Sequence, residues 1–85
     1  MSETPRVLTL LGQPDCHLCH QMRDVVEQVI AASGGSVVDK DVRADPELRR
    51  RYRNDIPVLL LGEREVARHR ISAEELRRRL AEMGW

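Results

Sequence analysis

Two cysteines separated by two residues, within Cys16-His17-Leu18-Cys19-His20, carry the chemistry that this sequence offers. A free cysteine has a pKa of about 8.5 and is only a few per cent thiolate at neutral pH, whereas one at a helix N-terminus in such a motif falls to roughly 7 or below. Cys16 stands where a strand-like run gives way to a helical pattern, and a helix N-terminus offers a thiolate unpaired amide donors and partial positive charge. Cys16 is therefore the expected nucleophile. Cys19 lies one turn further on and close to the same face, near enough to attack a mixed disulfide on Cys16, and is the expected resolving thiol. His17, when protonated, adds positive charge beside Cys16, while Asp15 opposes the thiolate, and the spacing does not say which prevails. His20 falls one turn beyond Cys16, either bordering the site or lying on the surface.

The same five residues spell C-x-x-C-H, the attachment sequence of c-type haem. Haem attachment requires export and a mostly helical fold. The N-terminal MSETPRVLTLLG lacks the basic start and long apolar stretch of an export signal, and Val7 to Leu11 and Val58 to Leu61 have the character of strands. Zinc bound by Cys16 and Cys19 with His17, His20 or His69 lacks the second clustered pair that a structural site normally uses. Two cysteines that serve only as small buried hydrophobes are a further alternative, against which their place at a strand-to-helix junction argues. No metal or organic cofactor is expected.

The elements that must position this pair can be read in order. Arg6 to Leu11 is a short aliphatic run of strand length, stopped by Gly12, Gln13 and Pro14. From Cys16 to Ala32, Leu18, Met22, Val25, Val26 and Val29 fall on one helix face, and Ser33-Gly34-Gly35 ends the helix. Ser36 to Val42 reads as an edge strand blunted by Asp and Lys. Asp45-Pro46-Glu47 starts a second helix that runs to about Arg53. Ile56 to Leu61 is a continuous apolar strand opened by a proline, and Gly62, Glu63 and Arg64 turn it into a second strand, Glu65 to His69. Ser72-Ala73-Glu74-Glu75 is a capping box, after which Leu76, Leu80 and Met83 form a stripe down to Gly84. The order β-α-β-α-β-β-α implies an α/β domain. Its first two strands are parallel through a right-handed crossover, its last two form an antiparallel hairpin, and helices cover both faces of a four-stranded mixed sheet.

At 9.8 kDa the chain suits a single domain over residues 1–85, with a thin aliphatic core, since Phe is absent and Tyr52 and Trp85 are the sole aromatics. Trp85 reads as a terminal hydrophobe over the core edge. Fourteen basic and fourteen acidic side chains cancel, so no whole-chain field draws in nucleic acid or an anionic membrane. Arg49, Arg50, Arg51 and Arg53, and again Arg77, Arg78 and Arg79, sit on expected helices beside Glu47, Glu74, Glu75 and Glu82, as solvated helix faces do. Without an export signal or an apolar run near the ~18 residues of a membrane span, the expected location is the cytoplasm. Thiols there are kept reduced, and a close cysteine pair is usually catalytic or metal-binding.

The CHLC motif at a strand-to-helix turn, followed by VDKDVRADPELRRRYRNDIPVLLLGEREV, resembles the glutaredoxin-like family of thioredoxin-fold proteins over nearly the whole chain. The resemblance implies a thiol-disulfide oxidoreductase in which Cys16 attacks a substrate disulfide and Cys19 resolves the mixed disulfide. It also implies a cis Ile56-Pro57 bond beside the cysteines, for which proline costs only about 0.5–1 kcal/mol, and an Ile56 backbone that pairs with extended substrate. His17 and Leu18, which replace the usual Pro-Tyr, together with Arg53, Ile56 and Pro57, are the expected substrate-binding residues. Arg53 can reach a glutathione carboxylate. By contrast, Asp15 puts an acid beside Cys16, and Arg68-His69-Arg70-Ile71-Ser72 holds no Gly-Asp turn, so the sequence departs from the glutathione-binding pattern. The expected partners are a disulfide-bearing protein or small thiol and a reductase or thiol donor, acting on a monomer. The alternative is a non-enzymatic module of the same fold that binds a protein, a metal or an iron–sulfur cluster.

Overall fold

A computed structural model describes residues 6–85; the first five residues, on which the export-signal reading and the expected 1–85 domain in part rest, lie outside the described residues. Strand β1 spans Val7–Gly12, helix α1 His17–Ser33, β2 Ser36–Asp41, α2 Pro46–Tyr52, β3 Val58–Leu61, β4 Arg64–Arg68 and α3 Ala73–Glu82, with a 3-10 turn at Val42–Ala44. The sheet order is β2-β1-β3-β4. β1 and β2 are parallel, whereas β3 runs antiparallel to both β1 and β4. The element order and mixed sheet are those expected from the sequence.

Alternation along the strands sorts the core into two layers. Leu8, Leu10 and Leu59 are buried on one face against Met22, Val26 and Val29 of α1 and Leu76 and Leu80 of α3. Leu11, Val42 and Val58 are buried on the other, packed with Leu48 and Tyr52 of α2. Side chains at i and i+2 share a face, so neighbours such as Val58 and Leu59 go to opposite layers. At ~0.8 kcal/mol per buried methylene, these aliphatic layers supply most of the fold's driving force. Trp85 is half-buried against the first layer, and its indole N–H donates to Ser33 Oγ at 3.1 Å. It closes the core edge, as expected.

Several boundaries differ from the sequence reading, each for a local reason. β3 begins at Val58 and not Ile56, since Pro57 has no N–H to give the ladder; the Ile56–Pro57 peptide bond is cis. β4 begins at Arg64 and ends at Arg68, since only Gly62 and Glu63 are needed for the turn and His69 takes a positive φ of 66° that leaves the strand. β1 extends through Gly12, which pairs with Asp41. The expected capping box is only half formed. Ser72 Oγ accepts from the Glu75 N–H at 3.1 Å, but the Glu75 carboxylate turns to Arg78 and Arg79. Those hydrogen bonds hold the Glu75 carboxyl below its usual range, with Arg78 the leading cause. In β4 a bulge matches Leu59 to Ala67 and Leu60 to Glu65, so that the consecutive residues Val66 and Ala67 are both buried. Arg79 donates to the Val66 carbonyl at 2.8 Å, which ties α3 to the bulge.

Candidate active site

Three chain segments meet at one end of the sheet. β1 delivers the loop that leads to Cys16, and β3 pairs Val58 with Leu11, which brings Pro57 to the level of Gly12. β4 ends opposite Val58 at Arg68, after which the His69 N–H donates to the Pro57 carbonyl at 2.8 Å. Ile56 and Pro57 thus stand between the cysteine-bearing loop and the segment that follows β4.

Cys16 is the N-cap of α1, with extended φ/ψ of −94° and 109°, and its N–H donates to the Gln13 carbonyl at 3.2 Å. Its Sγ accepts a hydrogen bond from the Cys19 N–H at 3.1 Å, taking the role that a serine or aspartate oxygen plays at other helix starts. As the N-cap of α1, this sulfur lies in the favourable field of the helix end. Cys16 and Cys19 are joined by a disulfide, with Cα atoms 5.2 Å apart. The two sulfurs have unequal access: Cys16 is half-buried, whereas Cys19 is only 6 % exposed.

Gly12, which the sequence reading treated as a strand stop, has a tighter role. A Cβ built on it would stand 2.8 Å from Cys19 Sγ and 3.1 Å from Cys19 Cβ. The strand's end and the buried sulfur can touch only because that position has no side chain. Glycine at a strand end marks such close approaches, although the partner is invisible until the helix is packed. Gly12→Ala is expected to cost about 1–3 kcal/mol, as overpacking a core does, and to slow closure of the Cys16–Cys19 disulfide. Chemical denaturation and a stopped-flow oxidation trace would check both; unchanged values in both would refute the role of this contact.

The remaining expected site residues are distributed around this centre. Leu18 is half-buried on the first turn of α1, while His17 is exposed and shares a 3.1 Å hydrogen bond with Gln21. His20 borders a cavity of about 230 Å³ that Gly12, Pro14 and Cys19 also line, and its Nε2 lies 2.7 Å from the Pro14 carbonyl. Asp39, held by Arg23 of α1, and Asp41 form the far wall of that cavity. The Arg43 guanidinium hydrogen-bonds to Asp41 and keeps its carboxyl below the usual range. Arg53 lines a separate recess of about 430 Å³ with Gln13, Arg43 and Arg49, one loop away from Cys16. Among the described residues, no group of three or more His, Cys, Asp or Glu side chains is placed to hold a metal ion. Nor is any described helix long and apolar enough to cross a membrane.

A β2-β1-β3-β4 sheet with a C-x-x-C pair at the first strand-to-helix junction and a cis-proline before β3 defines a thioredoxin-type fold. Residues 7–81 match the family model Glutaredoxin-like domain (DUF836), and the chain belongs to that family. Among solved structures it is similar to the structural-genomics target protein XcR50 from X. campestris, at 30% identity and a TM-score of 0.73, with 88% of this chain and 96% of that chain covered. It shares its fold with thioredoxin 1 of Thermosipho africanus, at 15% identity and a TM-score of 0.58 over 93% of this chain and 99% of that one. It likewise shares it with glutaredoxin from Brucella melitensis, at 22% identity and a TM-score of 0.54 over 94% of this chain and 84% of that one. No curated protein matches the chain.

Proposed function

We propose that this protein is a thiol-disulfide oxidoreductase that works through the Cys16–Cys19 dithiol. The observation that carries the reading is the unequal pair: a partly exposed Cys16 whose sulfur is hydrogen-bonded to a helix N-terminus, bridged to the buried Cys19 on the next turn. In the reduced protein the Cys16 thiolate attacks one sulfur of a substrate disulfide, forms a Cys16 mixed disulfide and expels the other sulfur as a thiolate. Cys19, losing its proton, attacks Cys16 Sγ and releases the second substrate thiolate. Two electrons have passed from the Cys16/Cys19 dithiol to the substrate, and an external thiol donor restores the pair.

A disulfide-bearing protein or small disulfide is the substrate in this reading, with the Ile56 backbone, His17 and Leu18 flanking its approach. That Ile56 stands outside the ladder, which begins at Val58, supports this role for its backbone. Glutathione is a candidate donor through Arg53, because Arg49 and Arg53 face one recess and neither has a carboxylate ion-pair partner among the described residues. The protein acts in the cytoplasm as a monomer in this proposal.

The test is equilibration in graded glutathione redox buffers, acid quench, alkylation and intact-mass measurement. A reversible transition in which both thiols disappear together is the expected result, and an adduct on Cys16 would identify glutathione as a direct reactant. Two free thiols across the whole range would refute the reading and leave the non-enzymatic binding module in its place. Cys19→Ser is expected to stop the cycle after its first step. The mixed disulfide on Cys16 would then accumulate to near one equivalent and persist until a strong reductant is added, observable as an intact-mass increase. Failure of any adduct to accumulate would remove Cys19 from the resolving role.

A further inference from the structure

A groove of about 370 Å³ runs between the first turns of α1 and the segment after β4. Leu18, Met22, Val25 and Ile71 supply its apolar surface, while His69 and Arg70 supply a basic rim. Both walls belong to the site's own framework. Leu18 is two residues from Cys16, and the His69 N–H is bonded to the Pro57 carbonyl.

The rim is held in a defined shape. His69 has a φ of 66°, and the Arg70 N–H donates to the Arg68 carbonyl at 2.8 Å, so His69 is the centre of a γ-turn. This backbone is unfavourable for a residue with a Cβ and is retained where the surroundings over-determine it, often at functional sites. The charges on the two sides of the turn differ in what they already do. Arg68 is paired with Glu65 and Asp55. Arg70 is exposed and makes no ion pair among the described residues. A preorganised turn therefore presents one uncommitted guanidinium at the lip of a groove whose α1 wall begins at Leu18, two residues along the chain from Cys16, and such a guanidinium favours a carboxylate.

Resting on the oxidoreductase reading above, we infer that the groove seats an extended protein segment flanking the substrate's disulfide, with an apolar side chain against Leu18, Met22, Val25 and Ile71 and a carboxylate beside Arg70. The protein then selects disulfides in apolar, acidic segments over the same segments bearing lysine. Arg70 is a specificity residue: it contributes to encounter and seating and leaves the sulfur exchange to the cysteine pair.

The test uses the reduced full-length protein and three symmetrical peptide disulfides of equal length, each with leucine beside the cysteine and with glutamate, glutamine or lysine at the next position. Second-order rates of Cys16–Cys19 oxidation are measured by quenched alkylation and expressed relative to the glutamine peptide. The glutamate peptide is expected to react about threefold or more faster than the lysine peptide at low salt, the scale of an exposed ion pair gained against a repulsion. The ratio should shrink toward one near 1 M salt, where charges more than ~3 Å apart are screened. Arg70→Glu is expected to invert the preference and Arg70→Gln to abolish it, circular dichroism confirming that both variants are folded. Equal rates for the three peptides, or a preference that Arg70→Glu leaves unchanged, would overturn the inference. Failure of every peptide to oxidise the pair would instead overturn the oxidoreductase reading itself.

Discussion

Cys16→Ser is expected to lower the rate of disulfide exchange by at least about a thousandfold, on the scale seen when an enzyme loses its nucleophile. A serine hydroxyl can accept the Cys19 N–H in place of Sγ and keep α1 capped, so the fold should survive and the loss should be chemical. Cys19 cannot substitute, because it is 6 % exposed and packed against Gly12, where a Cβ would come within 2.8 Å of its sulfur. The same asymmetry orders the two thiols after reduction, with Cys16 alkylated before Cys19. Reduction of a small disulfide, followed for wild type and variant at equal concentration, decides the matter. A variant that keeps more than about a tenth of wild-type activity would remove Cys16 from the chemistry, since loss of a nucleophile costs far more than tenfold.

Leu59→Ala should have the largest effect on stability, about 2–5 kcal/mol in the range for buried leucines. Leu59 is fully buried in β3, paired with Leu10 on one side and Ala67 on the other, and belongs to the layer that both α1 and α3 cover. With no Phe in the chain and Trp85 confined to the rim, no larger side chain is at hand to fill the void. Domains of this size have total stabilities toward the low end of about 5–15 kcal/mol, so the variant would lose a large share of its margin. Urea unfolding of the oxidised protein should show a lower midpoint at an unchanged slope. Val38→Ala, at a 46 % exposed position on β2, serves as the comparison and should change stability by no more than about 0.5 kcal/mol. A Leu59→Ala loss no greater than that of Val38→Ala would contradict the two-layer core.

The two expectations concern one architecture. The sheet and its aliphatic layers hold the end of β1, the start of β3 and the end of β4 together, and the helix that begins at Cys16 is fixed by Met22, Val26 and Val29. Loosening the layer at Leu59 therefore also loosens the setting of the cysteines. A modest destabilisation of the core is expected to reach the site chiefly through the helix, because Cys19 and Met22 are buried on the same side of α1.

What the sequence determined by itself are the features set by neighbours along the chain. The C-x-x-C spacing, the 3.6-residue stripe of α1, the Asp45-Pro46 start of α2, which places the Asp45 carboxylate on the Glu47 and Leu48 N–H groups, and the element order are all local. They follow from backbone sterics and side-chain periodicity over a few residues. Only the tertiary structure decided which distant residues meet. Gly12 against Cys19, the burial of both Val66 and Ala67 at a bulge, and Arg79 on the Val66 carbonyl depend on how a helix settles on a sheet. The γ-turn that sets Arg70 beside Leu18 belongs with them, since nothing near His69 in the chain names Pro57 as the acceptor of its N–H. Packing compares surfaces from separate elements at sub-ångström precision, and residue types read in order carry too little information to make that comparison.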